Sequence, residues 1–130
     1  MDPLITPSLR ELLGHLGRWL GALRGAGEAR RVASRRALQQ VVLAVRETSV
    51  HGAALAAGSL DSATRVQLTR LWTELSFTLD ELKLDKLAKR CRLLGQQLAD
   101  PVHTDAALLA AAGARLSEIE RQARALLSRL

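Results

Sequence analysis

The stretch ITPSLRELLGHLGRWLGALRGAG, residues 5–27, sets the pattern that decides the fold. Its large apolar residues recur at alternating steps of four and three, at Ile5, Leu9, Leu12, Leu16, Trp19 and Leu23. That spacing puts one apolar stripe along a helix. Thr6 before Pro7 is typical of a helix start, and Gly25 with Gly27 indicates its end. We therefore predict an amphipathic first helix.

Turn signals divide the rest of the chain into four more helical segments, at about residues 28–57, 60–80, 84–100 and 104–130. The chain has 27 Leu and 21 Ala against seven Val and two Ile, and it has only three aromatic residues. This balance favours helices, because straight-chain residues and Ala lose little freedom there. We predict an all-α fold, an antiparallel bundle of four to five helices in a single domain, residues 1–130. The alternative is that the last helix continues beyond residue 130 in a longer protein.

The last predicted helix carries a heptad pattern. Its apolar residues alternate steps of three and four, at Leu109, Ala112, Leu116, Ile119, Ala123, Leu126 and Leu130. Such a seam is typical of a coiled coil, and it indicates an oligomer. The same seam is also satisfied when it packs inside a bundle.

The charge is basic and uneven. The formal net charge is +6, and residues 1–36 hold seven Arg against three acids. The densest cluster is Arg30, Arg31, Arg35 and Arg36. Such a cluster indicates either a solvated face or contact with an anionic partner, which would be nucleic-acid backbone, lipid headgroups or an acidic protein.

No pattern indicates a cofactor or a metal. His15, His51 and His103 together with Cys91 lack metal-ligand spacing, and Cys91 falls on the apolar face of its helix. A single cysteine fits a reducing compartment. The N-terminal residues do not form a secretory signal, so we predict a cytoplasmic protein without cofactor or metal.

Gly14, Gly17 and Gly21 interrupt the first helix. They lie within about 60° of one another beside the apolar stripe, and a strip without side chains lets another backbone come close. Three interpretations follow. The strip packs inside the bundle, it docks onto another chain, or residues 12–25 leave the bundle to lie in a membrane interface.

RETSVH, residues 46–51, resembles the signature of the HEPN ribonucleases, helical-bundle enzymes that usually act as dimers. The resemblance implies that Arg46 and His51, with Glu47 between them, act on a scissile phosphate. Imidazole moves protons near neutral pH, and a guanidinium stabilises the developing charge. RELLGH, residues 10–15, repeats the pattern. Positions five apart diverge by about 140° on a straight helix, so we predict no enzyme unless the helix bends there.

A second resemblance covers residues 37–101. It rests on AVRET (44–48), LTRLWTEL (68–75), LAKRC (87–91) and LADP (98–101). These segments are similar to uncharacterised small helical modules of bacterial conflict and defence systems. The resemblance implies an interaction module, in which Arg46 is structural and pairs with Glu47, Glu74 or Asp80.

We therefore predict a non-catalytic interaction or adaptor module in a bacterial multi-protein complex, possessing protein partners and forming a homo- or hetero-oligomer. The predicted interaction residues are Gly14, Gly17, Gly21, Arg30, Arg31, Arg35, Arg36, Leu109, Leu116, Ile119, Leu126 and Leu130. Three alternatives stay open. They are nucleic-acid backbone binding by residues 30–36 in a ribonucleoprotein complex, a HEPN-like ribonuclease using Arg46 and His51, and a membrane-active effector acting through the first helix.

Overall fold

The computed structural model describes the backbone of residues 5–99 and 106–130 and the side chains of residues 9–99 and 112–130. Within these ranges the chain forms helices and no strand, which confirms the predicted all-α fold. Five helices are long, and two have only six residues each. The predicted break between the segments 84–100 and 104–130 lies outside the described residues. The helices are α1 (Ile5–Arg24), α2 (Glu28–Ala33), α3 (Arg35–Val50), α4 (Gly52–Ala57), α5 (Ser62–Glu81), α6 (Asp85–Ala99) and α7 (Ala106–Leu127).

The predicted second helix is wrong as one continuous element, because residues 28–57 form α2, α3 and α4. The joints are Ser34, with φ −91° and ψ 0°, and His51, with φ −96° and ψ 11°. These angles depart from those of an α-helix. At the first joint the Ser34 hydroxyl donates to the Arg30 carbonyl at 3.0 Å. A hydroxyl that bonds back one turn in this way commonly bends a helix.

Around the end of α3, the residues that face the core differ from those expected from the apolar spacing. On a straight helix the apolar face of α3 would continue through Ser49 and Gly52, but Ser49 is exposed and Gly52 is only partly covered. Thr48 and Leu55 are buried instead. The Thr48 hydroxyl donates to a backbone carbonyl one turn back at 2.7 Å and accepts a bond from Trp72 Nε1 at 2.9 Å. Thr48 lies within α3, before the joint, and its hydroxyl satisfies the buried indole.

The five long helices form a closed ring. Each contacts two others, in the order α1, α6, α5, α3, α7 and back to α1. Arg65 donates to the Leu98 carbonyl and Thr69 donates to the Gly95 carbonyl, so α5 and α6 run antiparallel. The last helix, α7, lies between the first two long helices of the chain.

A ring with an odd number of helices requires at least one parallel pair of neighbours. That pair is α1 with α7. Gly17 lies against Ile119, and Arg24 lines a small groove together with Arg129, so residue numbers rise together along both helices. The last helix therefore closes the ring in the same direction as the first.

Two helices end in Schellman motifs, in which a residue with positive φ reverses the chain. After α4 this residue is Gly58, with φ 69°, which directly follows the predicted segment 28–57. After α5 it is Lys83, with φ 65°. The Leu84 N–H bonds to the Leu79 carbonyl at 2.9 Å and the Lys83 N–H to the Asp80 carbonyl at 3.0 Å. A lysine thus occupies a position that favours glycine.

The core lies inside the ring and draws buried side chains from all five long helices and from Leu55 of α4. Trp72 is its largest fully buried side chain. Among the described residues, no helix combines the length and the apolar character that crossing a bilayer requires.

Candidate functional site

The bend that the ribonuclease hypothesis requires is present, since His51 separates α3 from α4. Arg46 is exposed and His51 is partly buried. No hydrogen bond joins these two side chains within the part of the chain that the structure describes. In the second copy of the motif, Glu11 pairs with Arg90 at 2.6 Å rather than within the motif. Neither copy therefore shows an assembled arginine and histidine pair.

The structure contradicts the ion pairs expected for Arg46. Asp80 pairs with Arg92 at 2.7 Å, across the contact between α5 and α6. The ion pairs among the described residues do not include Arg46, Glu47 or Glu74. Arg46 is exposed on α3 and takes part in none of these pairs.

The glycines of α1 have different surroundings. Gly17 faces α7, where the Arg115 guanidinium covers it and Ile119 Cδ1 lies 3.7 Å from the position of a Cβ atom. A Cβ atom at Gly14 or Gly21 would approach only the flexible end of an arginine of the same helix, at 3.9 and 3.8 Å. The centre of the strip therefore serves packing within the chain, and its two ends are open.

The heptad seam of α7 faces the core of its own chain. Leu116, Ile119 and Leu126 are buried, and Leu130 is partly buried against the core. The side chain of Leu109 lies outside the described residues. Of the two interpretations, packing inside the bundle accounts for the described part of the seam. These side chains are consequently covered in the folded chain.

The basic segment lies on the surface where α2 meets α3. Arg30, Arg35 and Arg36 are exposed, and Arg31 is partly buried with Nη1 donating to the Ala26 carbonyl at 2.6 Å. None of the four forms an ion pair within the described ranges. Arg31 thus holds the turn after α1, and the other three are free to meet a partner.

The fold adds more cations to the same end of the bundle. Helices α1 and α7 end together there, α3 starts there, and the turn from α5 to α6 lies beside the second half of α1. We name this set the basic end; it comprises Arg24, Arg30, Arg31, Arg35, Arg36, Lys83, Lys86 and Arg129. The acids on these segments are Glu28, Glu81 and Asp85. The positive potential is therefore a property of the tertiary structure as well as of the first 36 residues.

The outer face of α3 carries two large apolar side chains that the sequence analysis did not single out. Leu43 is 49% exposed and Val50 is 65% exposed. Positions seven apart lie about 20° and about 10.5 Å from each other on a helix. The exposed cations Arg36 and Arg46 lie on the same side. The seven-residue spacing of Leu43 and Val50 is the sequence signal that could have indicated this surface.

A groove of about 480 Å³ opens between α1 and the turn from α5 to α6. We call it the α1–α6 groove; its lining residues are His15, Arg18, Trp19, Lys83, Leu84, Asp85, Lys86 and Leu87. Arg18 Nη2 lies 2.9 Å from His15 Nδ1. Because guanidinium only donates, Nδ1 accepts this bond and the imidazole is neutral. The pKa of His15 is lowered by burial first and then by the cations Arg90, Arg18 and Lys86, against a raising effect of Glu11.

We expect His15 to make the protein less stable in acid. Because the pKa of His15 is lowered in the folded protein, the unfolded chain takes up this proton first as the pH falls through 6.5. The free energy of unfolding therefore decreases over this pH range. Replacing His15 by Gln removes that loss. Urea unfolding at pH 7.5 and 5.5, values chosen on either side of the ordinary histidine pKa of about 6.5, should show a smaller drop in stability for His15→Gln than for the wild type. Equal drops would contradict the assignment.

Other reactive groups are inert or dispersed. Cys91 is fully buried, as its position on the apolar face predicts, and burial raises the pKa of its thiol to about 12. Such a thiol does not act as a nucleophile. In the described ranges, no three His, Cys, Asp or Glu side chains are close enough together to hold a metal ion. His103 lies outside these ranges.

The fold and its surfaces define an all-α protein, a five-helix ring with a basic end. No protein-family model matches the chain, and comparisons with curated proteins and with solved structures find no significant match. The resemblances of residues 46–51 and 37–101 therefore stay predictions.

Proposed function

We propose that the protein is a non-catalytic interaction module that binds an acidic partner protein through the outer face of α3. The observation that carries this proposal is the pair of exposed apolar residues, Leu43 and Val50, on one line of the helix and flanked by Arg36 and Arg46. Arginine is enriched at protein interfaces, and the two exposed apolar side chains supply surface that would leave water on binding. Isolated exposed apolar residues are ordinary, but here the two share a heptad line.

The spacing and charge of this face indicate the kind of partner. Residues repeated every seven positions match the repeat of a second helix packed alongside. The cations at Arg35, Arg36 and Arg46 outnumber the one nearby acid, Glu47. The occupant that fits is an amphipathic helix that carries acidic residues beside an apolar stripe. Charge complementarity would speed its association and fix its orientation.

The other surfaces first considered contribute less to this proposal. The described seam of α7 is buried, and Gly17 is covered by α7. An interface built on them would require the ring to open. The α3 face needs no rearrangement, because its side chains are already exposed in the closed ring.

The double variant Leu43→Asp with Val50→Asp tests this proposal. We expect the amount of partner protein that co-purifies from the native host to fall about tenfold or more, because two apolar anchors are replaced by charges that repel an acidic helix. Leu93→Asp is the matched control, since Leu93 is 44% exposed on α6 and lies outside this face. Quantitative mass spectrometry of the purified complexes measures the effect.

Three results would contradict the proposal. The double variant retains the same partner as the wild type, Leu93→Asp loses it equally, or the face pairs with a second copy of the chain in sedimentation velocity. Circular dichroism of each variant checks that the helices remain folded.

The free arginines of the basic segment favour a second candidate function, binding to nucleic-acid backbone. Arg30, Arg35 and Arg36 are exposed and unpaired in the described region, and phosphate contacts of this kind do not depend on sequence. Trp72 is fully buried, and Trp19 is only 7% exposed and lines the α1–α6 groove, so the chain offers no row of aromatic side chains for stacking successive bases. Gel shifts with double-stranded DNA and single-stranded RNA over a range of salt test it, with these three arginines replaced by Gln. No shift at low salt would exclude it.

A role in bacterial defence rests on the resemblance of residues 37–101 alone. Identification of the co-purified partner tests it in the same experiment. A partner that belongs to a conflict or defence system would support the role, and a housekeeping partner would contradict it.

A further inference from the structure

The α1–α6 groove is separate from the outer face of α3, and it combines an apolar floor with a cationic rim. Trp19, Leu84 and Leu87 contribute the apolar surface. Its volume of about 480 Å³ lies within the range of small-molecule sites. Because the two long helices α1 and α6 form its walls, its shape does not depend on a partner chain.

Among the residues that the structure describes, no carboxylate pairs with the cations of the rim. The ion pairs among the described side chains use Arg90, Arg92, Arg115 and Arg124. Arg18, Lys83 and Lys86 take part in none of them, although all three line the groove. Asp85 is the one acid of the lining. Three cations and one acid give the lining a net charge of +2, which attracts an anion and which a dianion would neutralise.

Two further features supply hydrogen-bond donors. His15 accepts from Arg18 through Nδ1, so the neutral imidazole carries its proton on Nε2 and donates there. The groove is also lined by the first turn of α6, whose earliest N–H groups have no acceptor within the helix. Such amides favour anions. The residues that line the groove therefore include charged donors and neutral donors from both walls.

Lys83 stands at the rim in the left-handed conformation, with φ 65°. Glycine is favoured at such a position, and a lysine there is disfavoured by its Cβ atom. The fold does not need this side chain, since the turn is held by backbone hydrogen bonds to Leu79 and Asp80. The Lys83 side chain thus brings a charge to the rim at a position where glycine would fit the backbone better.

We propose that the α1–α6 groove binds a small soluble organic phosphate, with the phosphomonoester dianion held by Arg18, Lys83 and Lys86 and an apolar or aromatic body lying over Trp19. Phosphate suits this rim because its three free oxygens accept from several donors at once. The apolar floor selects an organic phosphate over inorganic phosphate, since burying the body releases water from it. This site is independent of the proposed function of the α3 face.

Titration calorimetry with phenyl phosphate and with inorganic phosphate tests the site on the full chain. We expect saturable binding of both, with phenyl phosphate the tighter. The double variant Arg18→Ala with Lys86→Ala should weaken phenyl phosphate binding at least about tenfold, because two charged donors are lost. The matched control is Arg70→Ala with Lys89→Ala, which removes the same charge from exposed positions outside the groove and should change binding less than about twofold.

Lys83→Gly gives a sharper test because its two effects have opposite signs. The variant should unfold at a higher temperature, since glycine accepts the positive φ. It should also bind phenyl phosphate about threefold or more weakly, because one charged donor is lost. A variant that was merely damaged would lose both stability and binding.

The imidazole of His15 provides a spectroscopic readout. The charged groups that act on it or line its groove are Glu11, Arg18, Lys83, Asp85, Lys86 and Arg90. A bound dianion offsets the cations among them, so NMR titration should show a higher pKa for His15 with phenyl phosphate than without. His15→Gln assigns the resonance.

Several outcomes would overturn the proposal. The first is that phenyl phosphate shows no saturable binding up to about 10 mM, a concentration beyond a useful small-molecule affinity. The second is that both double variants weaken binding equally, which would indicate nonspecific attraction by charge. Binding to phosphatidic acid vesicles without binding to phenyl phosphate would also overturn it, because the source would then be a lipid headgroup. An unchanged pKa of His15 in the presence of bound phenyl phosphate would place the phosphate elsewhere.

Discussion

Replacing Trp72 by Ala is expected to lower the free energy of unfolding by about 3–5 kcal/mol, the largest effect we predict for a single substitution. The side chain is fully buried at the contact of α5 with α3. Its Cβ atom also lies against Gly95 of α6. Urea unfolding followed by circular dichroism measures the change.

The hydrogen bond from Trp72 to Thr48 can be measured separately from the packing of the indole. Thr48→Val leaves the indole N–H buried without an acceptor, which costs about 1–3 kcal/mol. Trp72→Phe removes the donor and leaves the Thr48 hydroxyl bonded to the Ala44 carbonyl. We therefore expect Thr48→Val to cost less in the Trp72→Phe background than in the wild type. Additive effects of the two substitutions would contradict the bond.

Phe77→Ala is the matched control for Trp72→Ala. Phe77 is an aromatic residue of the same helix, and it is 56% exposed. Its removal should cost less than about 1 kcal/mol, as for most surface substitutions. If both variants lost the same stability, the placement of Trp72 in the core would be wrong. If Trp72→Ala does not fold, Trp72→Phe should still fold with a loss of about 1–2 kcal/mol.

Replacing Gly95 by Leu is expected to destabilise the fold by about 1–3 kcal/mol through overpacking, the second large effect. A Cβ atom at Gly95 would lie 3.3 Å from the Thr69 carbonyl oxygen and 3.2 Å from Thr73 Oγ1. The rest of a leucine side chain would force α5 and α6 apart. The Gly95 carbonyl accepts a bond from the Thr69 hydroxyl at 3.0 Å, which separation would also break. Thermal and urea unfolding measure the loss.

Gly14→Ala is the control with the opposite sign. A Cβ atom there meets only the flexible end of Arg18, so the variant should gain up to about 1 kcal/mol from the helix preference of Ala over Gly. A loss at Gly14, or a gain for Gly95→Leu, would contradict the packing of α1 or of α5 on α6. The two glycines look alike in the sequence, and only their neighbours distinguish them.

Several helix boundaries were predictable because they depend on local chemistry. Helix α1 ends at Arg24, directly before Gly25, and α4 ends at Ala57, directly before Gly58. Glycine is common just after a helix because it adopts conformations that other residues rarely adopt. Lys83 performs the same role after α5 without any such signal. The joints at Ser34 and His51 were also missed, because nothing in the hydrophobic spacing distinguishes a joint from a continuous helix.

The candidate surfaces were harder to predict, because a periodic apolar stripe does not say which chain will cover it. The pattern of α7 fits a seam between subunits and a seam inside the bundle equally well, and the described part is inside. Gly17 lies under Arg115 of a helix about a hundred positions further along. Leu43 and Val50 were assigned to no surface, and they became a candidate only when their exposure was known.

By itself, the sequence determined that the chain is helical, roughly where its long helices lie, and that Cys91 and most leucines are buried. These features follow from side-chain entropy, from the 3.6-residue repeat and from the removal of apolar surface from water, all of which act over a few turns of chain. Only the tertiary structure decided that α7 closes a ring between α1 and α3. It also decided that Arg18, Lys83 and Lys86 meet around one groove. Those contacts join positions far apart in the chain, and they depend on which helices become neighbours, which no local pattern specifies.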